Sequence, residues 1–168
     1  MSSLKRLYDE QIVEHSKKPR NYRAIETANR KAEGRNPLCG DHQIVYLQVE
    51  DDVIKDISFV CLGEDDEKNC AISKASASMM TRALKGKTLK EAEALFSEFH
   101  KMLTEDSDLD SGSDSLGHLK VFAGVREFPV RVKCATLPWH TMHAALEGED
   151  TATTENLGPD ITAAAVSD

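Results

Sequence analysis

A chain of 168 residues fits one domain, and 40% hydrophobic content with only 5% aromatics gives it an aliphatic core. A net charge of −8 excludes nucleic acid as the main partner, because phosphate binding needs a basic surface. No run of about 20 apolar residues is present to span a membrane, and charges between Met1 and Glu10 interrupt any signal-peptide core. The expected location is therefore the reducing cytoplasm, where four cysteines favour metals or chemistry over disulfides.

Leu4, Leu7, Tyr8, Ile12 and His15 recur at helical spacing, which predicts an amphipathic helix over residues 3–17, capped by Ser2 or Ser3 and stopped by Pro19. Lys17, Lys18, Arg20 and Arg23 form one basic cluster in an acidic protein, read either as a solvated turn or as a docking patch for an acidic partner. Residues 28–34 are a candidate edge strand. Residues 43–50 and 53–62 are rich in β-branched side chains and are joined by Asp51-Asp52, which predicts an antiparallel hairpin. Ile57, Phe59 and Cys61 share one strand face, so Cys61 reads as a small buried residue.

An acidic loop over 63–69 leads to Asn69 as N-cap of a helix from Cys70 to about Lys85, ended by Gly86. Thr88 and Glu91 give the next helix a capping box, with Leu89, Ala92, Phe96, Phe99 and Leu103 facing inward. Residues 104–115 are acidic and small and read as a mobile insertion, lacking the spacing of a calcium loop. A short helix follows through Leu116, Leu119 and Phe122. The final helix is expected to start near Thr136 as cap, with Pro138 in its first turn and His140 and His143 on its surface. Beyond Glu147 the chain holds no lysine, arginine or aromatic residue, so 148–168 reads as an acidic, disordered tail.

The chemistry gathers on Pro37-Leu38-Cys39-Gly40-Asp41, where a thiol and a carboxylate flank a glycine that lets both converge on one point. Cys70 and Cys134 each stand near an expected helix start, where partial positive charge favours the thiolate. Arg131 and Lys133 act on Cys134 in the same direction. Cys39, Asp41, Cys70 and Cys134 form a four-ligand set for zinc, and the carboxylate is the easiest to displace, which suggests an exchangeable site. Spacing alone leaves scattered thiols or a closed structural zinc as alternatives. His42 points away from Asp41 by strand alternation.

Four stretches resemble a known family. They are His15-Ser16-Lys17-Lys18-Pro19-Arg20-Asn21; Asn36-Pro37-Leu38-Cys39-Gly40-Asp41; Cys70-Ala71-Ile72-Ser73 with Ser76-Ala77-Ser78-Met79-Met80; and residues 128–137 around Cys134. In this order they resemble iron–sulfur cluster assembly proteins of the SufU, IscU and NifU N-terminal type. Lys133 stands where IscU-type scaffolds have a histidine ligand, and an insertion precedes the last cysteine, so the resemblance points to the SufU branch.

The resemblance implies an α+β fold over residues 1–147, with a small antiparallel three-stranded sheet against about five helices on one side. It implies zinc held by three cysteines and Asp41, and a SufS-like pyridoxal-phosphate cysteine desulfurase as partner. Cys39 would accept persulfide sulfur when a partner histidine takes its place on zinc, with Arg131 engaging that partner. Downstream scaffolds or acceptors would receive the sulfur. Scaffolding of a [2Fe–2S] cluster, with iron on the same residues, is the alternative, and a purely structural zinc module is a third. Residues 64–69 intervene where the family has a short Gly-x-Gly-Cys approach, which brings Cys61 forward as a substitute ligand.

Overall fold

The computed structural model describes residues 2–36, 41–62, 70–104 and 114–153. The order is α1 (Ser2–Lys17), β1 (Arg30–Asn36), β2 (Asp41–Glu50), β3 (Val53–Cys61), α2 (Ala71–Leu84), α3 (Leu89–Thr104), a 3₁₀ segment (Asp114–Glu127), α4 (Pro129–Leu146) and β4 (Thr151–Thr153). This is the expected α+β class, with one correction. The sheet has four strands in the order β3-β2-β1-β4, and β4 runs parallel to β1, so the sheet is mixed. The strand expected at an edge is thus internal.

The β2–β3 hairpin turns on Asp51 and Asp52, both at positive φ (55° and 62°), the conformation a tight two-residue hairpin turn requires. Along β2, Asp41, Gln43, Val45, Leu47 and Val49 are buried, while the residues between them are half-buried. That is the alternation of a sheet with one packed face. The outer edge of β3 is covered by the segment after α1. Arg23 N–H donates to Phe59 O (3.0 Å), Phe59 N–H donates to Asn21 O (3.1 Å), and the Tyr22 ring meets Phe59 edge-on at 5.1 Å.

α2 is the axis of the helical layer. Ser73, Ala75, Ser76, Ala77 and Ser78 have no exposed surface, because small side chains let neighbours approach closely. Each serine ties α2 to a different element. Ser73 Oγ accepts from Gln43 of β2 (2.8 Å), Ser76 Oγ accepts from Trp139 Nε1 of α4 (3.2 Å), and Ser78 Oγ bonds His15 Nδ1 of α1 (2.7 Å). These hydroxyls are buried without being left unpaired, which the energetics of burial demand. The capping box of α3 forms as expected, with Thr88 N–H on Glu91 (3.0 Å) and Glu91 N–H on Thr88 (3.1 Å).

α4 corrects a second expectation. It begins at Pro129, so Thr136 and Pro138 lie inside it, and Thr136 Oγ1 donates to Val132 O (2.9 Å) instead of capping. Proline at its first position lacks an N–H that would have no helical partner anyway. Nearly every residue from Cys134 to Ala145 is buried. His140, expected on the surface, is 4% exposed, and burial pushes its imidazole down to about 3. Trp139 stacks on Phe99 at 4.7 Å and anchors α4 against α3.

The chain after α4 folds back through Gly148 (φ 81°) to place β4 beside β1, so the expected tail is structured at least to Thr153. Residues 37–40 with Cys39, the loop 63–69 with Asn69, the acidic stretch 105–113, and 154–168 lie outside the described residues. No described helix is long and apolar enough to cross a membrane.

Candidate metal centre

Three of the four expected ligands come together. One donor atom each from Asp41, Cys70 and Cys134 lies within 4.8 Å of the others, although the residues span 93 positions of sequence. Each comes from a different element. Asp41 opens β2, paired across the ladder with Asn36, the last residue of β1. Cys70 is the N-cap residue of α2 in extended conformation (φ −62°, ψ 132°). Cys134 sits one turn into α4. Cys39, two residues before Asp41 in the chain, lies outside the described residues.

The electrostatics suit a cation. Asp41 is 2% exposed, its Oδ1 accepts the Cys70 N–H (2.7 Å), and its Oδ2 is buried without a hydrogen bond among the described residues. Burial raises the Asp41 carboxyl, opposed by hydrogen bonds from the Cys70 N–H and from the Cys134 and Asn36 side chains. The Cys70 thiol is lowered to about 6, first by its hydrogen bond with Cys134 and then by the Ser73 and Ile72 amides at the start of α2; burial and Asp41 oppose this. Those amides are among the first of the helix, which have no intrahelical acceptor and stabilise the thiolate.

Two thiols, a buried carboxylate and an orphaned carboxylate oxygen fit a thiophilic ion such as zinc, which takes sulfur and carboxylate oxygen together. Fourfold coordination requires one more donor, and Cys39 is the sequence candidate.

Other candidates sort clearly. Cys61 is half-buried at the end of β3, 3.9 Å from Gln43 Nε2, and is outside the Asp41–Cys70–Cys134 group. His42 turns to the opposite face and bonds Glu33. No histidine among the described residues joins the group. Arg131 lies at the exposed start of α4 with its guanidinium 5.0 Å from the Phe128 ring centroid, beside exposed Val130. In the basic cluster, Arg20 pairs with Glu14, and Arg23 pairs with Asp56 (2.8 Å). Glu93, His143 and Glu147 also approach one another, but both carboxylates are exposed, with His143 at 3.3 Å from Glu93 and 4.0 Å from Glu147.

Asn36 was missed as a part of the site. It has no exposed surface, and its Nδ2 lies 3.5 Å from Cys134 Sγ. The signal was present in the strand. Ala32, Gly34 and Asn36 alternate inward along β1, and an asparagine in a buried alternation needs a polar partner.

Comparison with known proteins identifies the family. The NifU-like N terminal domain family matches residues 7–135. The "Zinc-dependent sulfurtransferase SufU" of Bacillus subtilis is 34% identical over 149 residues, covering 89% of this chain and 95% of that protein. The "Iron-sulfur cluster assembly scaffold protein IscU" of Streptococcus pyogenes is 35% identical, covering 88% and 87%. The crystal structure of an iron–sulfur cluster assembly scaffold protein for the SUF system from Fervidobacterium islandicum superimposes with a TM-score of 0.73 at 34% identity, over 83% of this chain and 96% of that one. The chain therefore belongs to the family of NifU-like N-terminal domains.

Proposed function

We propose that the chain works in iron–sulfur cluster assembly as a zinc-dependent sulfurtransferase that accepts persulfide sulfur from a cysteine desulfurase. The observation that carries this reading is the buried meeting of Asp41, Cys70 and Cys134 within 4.8 Å. The name of the Bacillus subtilis relative supports the same chemistry. Zinc, when bound, favours the thiolate forms of the cysteines. Asp41, Cys70 and Cys134 are the retained ligands, and Cys39 is the fourth ligand and the acceptor.

The Cys39 thiolate attacks the outer sulfur of a persulfide on the partner's cysteine. A sulfur–sulfur bond forms to Cys39, the donor's own breaks, and the donor cysteine leaves as a thiolate. No oxidant is consumed. Asp41 and its Cys70 N–H bond hold the start of β2 against α2, and Cys39 is two residues before Asp41 in the sequence. Arg131, with exposed Phe128 and Val130, supplies a cationic and apolar contact for the desulfurase. Sulfur then passes to a scaffold or acceptor, in the cytoplasm.

A second reading, assembly of a [2Fe–2S] cluster on the same residues, is favoured by the IscU names of relatives from Streptococcus pyogenes and Thermotoga maritima. One experiment separates the two. The purified protein is assayed for metal, and a cysteine desulfurase of the SufS type is assayed with wild type and Cys39→Ala. Bound zinc with Cys39-dependent stimulation supports sulfur transfer. A coloured cluster formed anaerobically, without stimulation, supports scaffolding. Zinc retained with neither activity would overturn both.

A further inference from the structure

We propose that Asn36 is a positioning residue of the metal centre, fixing Cys134 as a permanent ligand by donating its side-chain N–H to the sulfur. The inference rests on the metal-centre reading above. Asn36 is the last residue of β1, directly opposite Asp41, and has no exposed surface. Inward alternation along β1 turns its amide toward α4, and Nδ2 lies 3.5 Å from Cys134 Sγ, within the range of an N–H···S bond.

An N–H donor draws charge from a thiolate, making that sulfur a weaker nucleophile while fixing its direction toward the ion. The donors at the centre are divided among the elements. Cys70 has the Cys134 thiol and the backbone amides of α2, Asp41 has the Cys70 N–H with the Cys134 and Asn36 side chains beside it, and Cys134 has the amide of Asn36. Cys134 stands within α4, past the first turn whose amides lack helical acceptors. β1 brings it an N–H donor from another element, the Asn36 amide. The side chain also bridges the sheet to α4 at the one point where the ladder closes before residue 37.

The test measures binding and spectra apart from activity. Zinc affinity is determined by chelator competition for wild type, Asn36→Leu and Asn36→Asp. The same proteins are loaded with cobalt to read the sulfur-to-metal charge-transfer band. Both substitutions should weaken zinc by about 10–100-fold. In Asn36→Leu, which is close in size but lacks the donor, the cobalt band should move to lower energy because an unbonded thiolate gives up charge more easily. A purely structural role would not move that band.

Wild type loaded with cadmium-113 provides a measurement that needs no variant to fold. The Asn36 side-chain amide proton should show coupling to the metal through the Cys134 sulfur. Wild type that binds metal without that coupling, or variants within threefold of wild-type affinity, would overturn the inference and leave the metal centre standing. Wild type that binds neither zinc, cobalt nor cadmium would overturn the metal-centre reading and this inference with it.

Discussion

Gly34 is where β1 and α4 come closest, and replacing it with alanine should loosen the molecule there. A Cβ at residue 34 would lie 1.9 Å from Thr141 Oγ1, 3.1 Å from its Cβ and 3.2 Å from Leu137 Cδ1. Favourable packing between such atoms needs about 3.5 Å or more. Thr141 has little freedom to yield, since it is fully buried and its hydroxyl donates to Leu137 O (2.7 Å). Rotation about χ1 would sacrifice that bond and leave Leu137 still crowded. Relief therefore requires α4 to move off the sheet, at a cost near the upper end of the roughly 1–3 kcal/mol typical of overpacking. For a chain of this size about 3 kcal/mol lowers the melting temperature by about 6–12 °C. Because α4 also carries Cys134, Gly34→Ala should release zinc more readily as well. Thermal and urea unfolding of Gly34→Ala, Thr141→Ala and the double variant give the coupling. The double variant should recover at least about 1 kcal/mol relative to additivity. A Gly34→Ala protein melting within about 2 °C of wild type, or strict additivity, would refute the close-approach argument.

Stability should fall on acidification below about pH 6.5. His140 is held neutral when folded, with its value lowered to about 3, so the unfolded chain binds the extra proton between these values. Stability from this group is complete above the unfolded value and drains away as pH drops, with a slope approaching about 1.4 kcal/mol per pH unit. His140→Phe should flatten the profile measured by urea unfolding between pH 7.5 and 5, leaving a residual slope from buried His15, whose value is lowered in the same sense. Thr88→Ala removes the hydroxyl that accepts the Glu91 N–H and should cost about 1 kcal/mol in denaturant. Chelation of metal should lower the melting temperature, and restoring zinc at 100 times its dissociation constant should return about 2.7 kcal/mol. An unchanged melting curve on chelation would remove the stabilising role of the ion.

The hairpin, the capping box and α2 were legible because each is local. β-branched runs flank Asp51-Asp52, Thr88 and Glu91 lie three apart, and small residues fill one helix. Errors arose where distant packing decides. The sequence around Thr136 and Pro138 looks like a helix start, yet α4 already begins at Pro129, and burial on all sides overrides the polar character of His140. β4 was hidden because three residues are too short a run to read as a strand, and Thr151–Thr153 pairs because β1 offers it an open flank. At the centre, ligand chemistry singles out Asp41, Cys70 and Cys134 as candidates, since few side chains bind zinc, and the fold brings one donor atom of each within 4.8 Å of the others. Asn36 escaped because an amide serves many roles, and only its register opposite Asp41 brings it to Cys134.

The short strand β4 also bears on where the chain can be shortened. Asp150 O accepts the Glu33 N–H (2.8 Å), and Thr151, Ala152 and Thr153 align with Glu33, Gly34 and Arg35. Cutting after residue 147 would strip the flank of β1 and bare a row of amides and carbonyls beside the strand that ends in Asn36. Bare strand flanks recruit one another. The clipped protein should thus self-associate in light scattering, whereas one cut after residue 153 should not.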